Sequence, residues 1–217
     1  MPSFSFVHLE FLAWAAMWTA GLSVIAFVGG GLLGFLVALA RVSSSGALRT
    51  AAAAYIQVVQ GTPLLVLLFL IYFGIAILGF DQVPAIIAAA AGLIIYSSGF
   101  LGEIWRGCIE SVPKTQWEAA ECLALSRWQR MIKVILPQAL RIATPPTVGF
   151  LVQIVKNTSL ASVVGFVELS QAGKLINNSI FEPFTVFIVV AVFYFAMCFP
   201  LSLWSRNLER KLNVIHR

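Results

Sequence analysis

Residues 19–40 read TAGLSVIAFVGGGLLGFLVALA, twenty-two residues without a charge, and Arg41 follows at once. A helix needs roughly 20 apolar residues to cross the hydrocarbon core of a bilayer, so this stretch is long enough to span one. A secretory signal would place a basic segment ahead of a short apolar core. No Lys or Arg precedes Arg41, so the run reads as a retained span. The whole chain has the same character: 60% of its 217 residues are hydrophobic and 11% are charged. Soluble domains are about half apolar and a quarter charged, and a core of this size cannot hide the excess from water.

Working outward, four further segments qualify as spans: about 63–80, 84–105, 146–167 and 184–203. The fourth is broken by the polar run Lys156-Asn157-Thr158-Ser159. The aromatic-rich approach from Phe4 to Trp18 is expected to lie along the interface. Five spans place the basic residues in alternate loops. One side receives Arg41, Arg49, Arg106, Lys114, Arg127, Arg130, Lys133, Arg141, Arg206, Arg210, Lys211 and Arg217, and the other receives only Lys174. The positive-inside rule then puts the N-terminus outside and the C-terminus inside. The predicted fold is an all-α, polytopic helix bundle of five transmembrane helices forming a single domain over residues 1–217.

Other classes recede on the same evidence. The isoelectric point near 9.4 suggests nucleic acid, but the positive charge lies between apolar runs with no basic, aromatic-interleaved stripe. Cys108, Cys122 and Cys198 are widely spaced, and His8 and His216 sit near opposite ends. They suggest neither a disulfide framework nor a metal site. Within the first span Gly30 and Gly34 form a G-x-x-x-G, which predicts close helix packing.

The segment from about Arg106 to Arg141 is a long connection on the basic side, and long connections carry a structure or task of their own. Thr115-Gln-Trp-Glu118 reads as a T-x-x-E capping box and Ser126-Arg-Trp-Gln129 as an S-x-x-Q version. Pro137 is expected to stop the second helix. Two short helices on the inner face make a docking element for a soluble partner.

The run Glu118-Ala119-Ala120, followed by Leu136-Pro137, resembles the EAA loop of ABC-importer permeases. The wider string WEAAECLALSRWQRMIKVILPQALR (117–141) resembles the polar amino-acid permease family. So do GTPLL (61–65), LGEIWRGCIESVPK (101–114), KNTSLASVVG (156–165) and VELSQAG (167–173), in the family's order. The resemblance implies a MetI-like ABC permease fold in the bacterial cytoplasmic membrane, with a coupling helix that enters a cleft on a separate ATPase subunit. Its expected partners are a homodimer of that ATPase, a second permease subunit, like or paralogous, and an extracytoplasmic solute-binding protein. Its expected cargo is an amino acid. Departures stand at Ala124, where the family has glycine, at Gln60 for Arg, at Thr115 for Gly and at Asn157 for Asp. Alanine at 124 is expected to let the first short helix run on, or to move the turn toward Ser126. Asn157 removes a negative charge and tilts the site away from a strictly cationic substrate.

An ionisable residue inside a span is a functional hypothesis by default. Gln153, Lys156, Asn157 and Leu160 share one helix face by their spacing, which gives a polar stripe suited to an aqueous cavity. Lys156 would take a substrate α-carboxylate through charge-assisted hydrogen bonds, and Thr158 and Ser159 would cap a helix break and offer hydroxyls. The alternative is a structural Lys paired with Glu103 or another carboxylate. Glu103 itself reads equally as a pathway residue or as an i,i+3 partner of Arg106. Gln60-Gly-Thr-Pro63 reads as a helix start.

No G-x-x-x-x-G-K-[ST] loop occurs, so ATP chemistry is expected in another polypeptide and no cofactor in this one. An ion-coupled secondary transporter of small polar solutes is the alternative. Such proteins place acids at the midplane and often carry internal repeats, and neither is evident here.

Overall fold

The computed structural model describes residues 3–77 and 84–214. All elements among them are helical: α1 (Phe6–Arg41), α2 (Gly46–Gly61), α3 (Leu64–Ile77), α4 (Ala85–Glu110), α5 (Lys114–Cys122), α6 (Arg127–Arg130), α7 (Leu136–Asn157), α8 (Leu169–Ile180) and α9 (Pro183–Val214). A π-turn, Met131–Ile135, joins α6 to α7, and a 3-10 segment, Thr158–Val164, follows α7. Among the described residues, four helical runs are long and apolar enough to cross a membrane: Phe6–Arg41, Ala85–Glu110, Arg127–Val164 and Pro183–Leu212.

The described part of α3 is 14 residues, about 21 Å at 1.5 Å per residue. The pair α2 and α3 passes the same test of length and apolarity together, as a broken span or a re-entrant loop, and the two helices meet at an angle of 104°. The corner follows from Pro63, which disfavours helical backbone at the residue before it. Thr62 is extended, at φ −103° and ψ 127°, and its hydroxyl donates to the Val58 carbonyl at 2.7 Å. The span expected over 63–80 is carried by α3 as far as Ile77, and its last residues, 78–80, lie outside the described residues. The approach from Phe4 to Trp18 is joined to the first span without a break. From Phe6 onward it is the first third of α1, one continuous helix of 36 residues.

Helix α4 is the centre of the bundle. Its face Ser97, Ser98, Gly99 and Gly102 is small, and α1 and α2 press against it. A Cβ on Gly30 would collide with that of Ser97, and one on Gly34 would lie 3.0 Å from the Ser98 carbonyl oxygen. The G-x-x-x-G of the first span therefore packs as expected, and its partner is α4. A Cβ on Gly99 would lie 2.7 Å from Val59 of α2, and Ser98 Oγ and Tyr55 Oη share a hydrogen bond of 2.6 Å. Helix α7 joins on the other side through Trp105 Nε1, which donates to Thr147 Oγ1 at 2.8 Å, and through stacked Phe100 and Phe150.

At the opposite end from the arginines, a buried Glu168 caps α8, accepting from the N–H groups of Ser170 (2.9 Å) and Gln171 (2.8 Å). Tyr194 of α9 donates to the same carboxylate at 2.7 Å, and the Leu169 N–H donates to Thr19 Oγ1 of α1 at 3.0 Å. This polar knot fastens α1, α8 and α9 inside an apolar cluster that includes Leu12, Ala172, Ile176 and Val186.

The connection between α4 and α7 differs from expectation in three respects. Helix α5 begins at Lys114 behind Pro113, so Thr115 lies inside it and forms no capping box with Glu118. The box at Ser126 and Gln129 does form, with Ser126 N–H donating to Gln129 Oε1 at 2.9 Å and Gln129 N–H to Ser126 Oγ at 3.3 Å. Pro137 stops nothing. The Leu136 N–H reaches five residues back to the Met131 carbonyl, and this wider register carries the helix past the residue that has no N–H. Finally, α5 does not run on through Ala124. Ala124 adopts φ +53°, and the Leu125 N–H closes the helix end on the Ala120 carbonyl at 3.3 Å, a Schellman-like end that usually recruits glycine.

Ala124→Gly is therefore expected to stabilise the purified protein by about 0.5–1 kcal/mol, relieving the left-handed strain. A melting temperature unchanged or lowered would contradict this. Gly30→Ala is expected to cost roughly 1–3 kcal/mol by overpacking the crossing with α4. Gly21→Ala, where no neighbouring atom lies within 4 Å, should be neutral or slightly stabilising in the same thermal measurement.

Candidate functional site

The polar stripe of α7 sits at its far end. The Gln153 amide donates to Asn157 Oδ1 at 3.0 Å, an i,i+4 bond that fixes both side chains beside the exposed Lys156. Asn157 Nδ2 is buried and has no hydrogen-bond partner. Helix α7 ends at Asn157, where the sequence places its break, and the 3-10 segment then changes the helical phase. Leu160 consequently leaves the stripe and packs on the main apolar cluster. Thr158 and Ser159 do not offer free hydroxyl protons: Thr158 Oγ1 donates to the Val155 carbonyl and Ser159 Oγ to that of Lys156, both at 2.7 Å. They hold the transition between helix types.

Depth can be read along α7. Gly149 faces Ser205 of α9 near the basic end, and Ser205 Oγ donates to the Pro145 carbonyl at 3.0 Å. Seven residues further on, about 10 Å by helix rise, comes Lys156. It makes no ion pair among the described residues.

Glu103 is not brought to this stripe. It accepts from Arg106 Nε at 3.0 Å and lies 4.0 Å from Arg41 Nε, while Arg106 also pairs with Glu110. Two arginines and two glutamates thus form a neutral network at the basic end, joining α1 to α4. The i,i+3 pair with Arg106 was legible from spacing. Arg41 was not, since only the α1–α4 crossing brings it within reach. Sequence reading also passed over Glu168, although an acidic residue just ahead of Leu169-Ser170-Gln171 carries an N-cap signal.

The second site is the α5–α6 element. Glu118 and Ala119 are exposed, whereas Ala120 is buried at 2% exposure. The two alanines therefore divide: Ala119 faces outward with Glu118, and Ala120 makes room for α5's own packing. That packing rests on Ile109, Val112, Ile135 and Ala139, with Trp117 and Leu136 against them. Two polar ties lock α5 to the following helical run: Arg130 Nη1 to Glu121 at 2.9 Å, and Gln138 Nε2 to Gln116 Oε1 at 3.3 Å. Pro137 is exposed at the start of α7 and Ala124 is exposed in its turn. The outward element thus stands on the same continuous run, Arg127–Val164, that carries Lys156.

Comparison with known proteins places the chain in a family. Residues 30–214 match the family model described as "Binding-protein-dependent transport system inner membrane component". The probable amino-acid ABC transporter permease protein YckA of Bacillus subtilis (strain 168) is 39% identical over 194 residues, covering 89% of this chain and 85% of that protein. The glutamine transport system permease protein GlnP of Escherichia coli (strain K12) is 33% identical over 215 residues, covering 93% and 98%. Among solved structures, an amino acid ABC transporter crystallised with histidines superposes with a TM-score of 0.89 at 31% identity, over 97% of this chain and all of that one. The inward-facing MetNI methionine transporter shares the fold at a TM-score of 0.78 and 20% identity, covering 96% and 99%. Four or five membrane-crossing helices and a match over most of the chain's length identify it as a member of the inner-membrane permease family of binding-protein-dependent ABC transport systems.

Proposed function

We propose that this chain is the transmembrane permease subunit of an ATP-driven amino-acid importer, working as one of two such subunits around a shared pathway. The observation that carries the reading is Lys156, an exposed cation on α7 well inside the membrane-crossing run without a carboxylate partner among the described residues. A charged group at that depth facing lipid is costly. A face that instead meets a second subunit across a water-filled path removes the cost. Lys156 then binds the substrate α-carboxylate, with the hydrogen-bonded pair Gln153 and Asn157 beside it. Asn157 also leaves the site without the negative charge that a strictly cationic side chain would call for.

In this reading residues 1–217 form one transmembrane unit, with the basic end in the cytoplasm and the coupling element within 106–141. Helix α5 seats in a cleft of a separate ATPase, presenting Glu118 and Ala119. The ATPase acts as a homodimer, and a solute-binding protein delivers substrate to the outer face. Closure of the ATPase pair on ATP displaces α5. The Glu121–Arg130 and Gln116–Gln138 ties, with the apolar cluster behind Ala120, pass that displacement into α7 and so to the Lys156 stripe. The pathway thereby changes from inward to outward access. Glu103, held by Arg41 and Arg106, serves as a fastening of the pathway wall at the cytoplasmic end.

Two experiments test this. In liposomes with the complete transporter, Lys156→Ala should weaken uptake by about tenfold or more, the worth of a hydrogen bond to a charged group, while ATPase assembly is kept. Unchanged uptake would remove Lys156 from the pathway. Ala119→Trp, on the outward face of α5, should abolish ATPase copurification or stimulated hydrolysis without lowering the melting temperature of the permease. Full coupling in that variant would remove α5 as the docking helix.

A further inference from the structure

A cavity of about 610 Å³ opens at the basic end, under the coupling element and beside the end of α1. Three guanidinium groups line it, from Arg49 of α2 and from Arg127 and Arg130 of α6, together with the rings of Trp117 and Trp128. One carboxylate is present, Glu121, and it is engaged with Arg130 at 2.9 Å. Arg49 reaches only the Ser43 carbonyl, at 3.5 Å, and Arg127 has no ion-pair partner among the described residues. Arg130 Nε is buried without a hydrogen-bond partner. The cavity therefore holds an excess of positive charge and unused donors.

Its apolar side leads in a definite direction. Leu39 lines the cavity, and Leu36 and Leu32 continue its face along α1 at helical spacing, 62% and 68% exposed. An anion site that continues into an apolar track along a membrane-crossing helix suits an amphiphile better than a free anion. Exposed Trp128 and half-buried Trp117 are the ring type that settles at the headgroup level of a membrane. Basic pockets among membrane helices recognise anionic headgroups by this combination of charge and depth.

We propose that this cavity binds the phosphate of an anionic phospholipid, its acyl chain lying along Leu39, Leu36 and Leu32. Trp117 and Glu121 belong to α5 and Arg127 and Arg130 to α6, so the lipid bridges the end of α1 to the coupling element. It steadies that element at the membrane surface. The transport reading enters only in calling α5 and α6 the coupling element; the charge and geometry of the cavity do not depend on it.

The test is lipid binding to the purified transporter in detergent, read by native mass spectrometry, with phosphatidylglycerol and phosphatidylcholine of the same acyl chains. Phosphatidylglycerol should bind about tenfold more tightly. The advantage should fall about fivefold for Arg127→Gln, the worth of one basic group near a membrane surface, and should vanish for Arg49→Gln with Arg127→Gln. Both side chains are exposed, and the single variant keeps the test open if the double one fails to assemble. Arg206→Gln, the same charge removed from α9, should change nothing. An equal loss in Arg206→Gln would reduce the effect to diffuse charge and overturn the site. Glycerol phosphate binding as tightly as the lipid would make it a soluble-anion site and overturn the proposal. Loss of ATPase assembly by the double variant in phosphatidylcholine alone would assign the arginines to the protein partner instead, and would overturn it too. None of these readouts depends on uptake, so failure here is distinct from failure of the transport reading.

Discussion

The bundle depends on the close crossing of α1 and α4. In lipid, burial of apolar surface does not drive helices together, and association rests on packing and hydrogen bonds. Gly30 and Gly34 let the α1 backbone lie against Ser97, Ser98 and Gly102 with no side chain between. The same small face of α4 admits Val59 and Tyr55 of α2. Because the crossing is this close, Arg41 comes within 4.0 Å of Glu103. At the other end, α1 is fastened separately, through Thr19 to the start of α8 at 3.0 Å.

A second constraint is continuity of the run from Arg127 to Val164. It contains Pro137, Pro145 and Pro146, each of which removes a backbone donor. The π-turn carries it past the first. Near the other two, Ser205 of α9 donates to the Pro145 carbonyl, so the weakened stretch is braced by a neighbour. The helix survives as a strut with α5 fixed near one end and Lys156 near the other. The run therefore joins α5 mechanically to the polar stripe. The weak points in that route are the places where backbone hydrogen bonding is irregular.

The polar groups divide by how their needs are met. Thr158 and Ser159 satisfy themselves on carbonyls three residues back, and Glu168 is satisfied by two backbone donors and Tyr194. These are structural. Lys156 makes no ion pair among the described residues, and the buried Asn157 Nδ2 has no hydrogen-bond partner. Residue type alone does not separate the two kinds, since all lie within or beside one polar block.

What the sequence determined by itself were the properties carried by local pattern. Uncharged runs of span length announce membrane helices, Gly30 and Gly34 announce a close contact, and Ser126 with Gln129 announces a helix start. Each rests on a few neighbouring residues. Tertiary structure decided what depends on distant partners or on backbone register. Thr115 lost its capping role because Pro113 starts α5 first. Pro137 failed to stop a helix because a π-turn absorbed it. Ala124 took a left-handed turn because the Leu125 N–H closes there on Ala120 and Arg130 ties α6 back to Glu121. The corner at Thr62 set α2 against α3 at an angle of 104°, and Leu160 left the stripe because the 3-10 segment changed its phase. Charge and apolar length are additive along a chain and so can be read from it. Helix ends, bends and ion-pair partners are settled by competition between neighbours in space, and only the folded bundle supplies those neighbours.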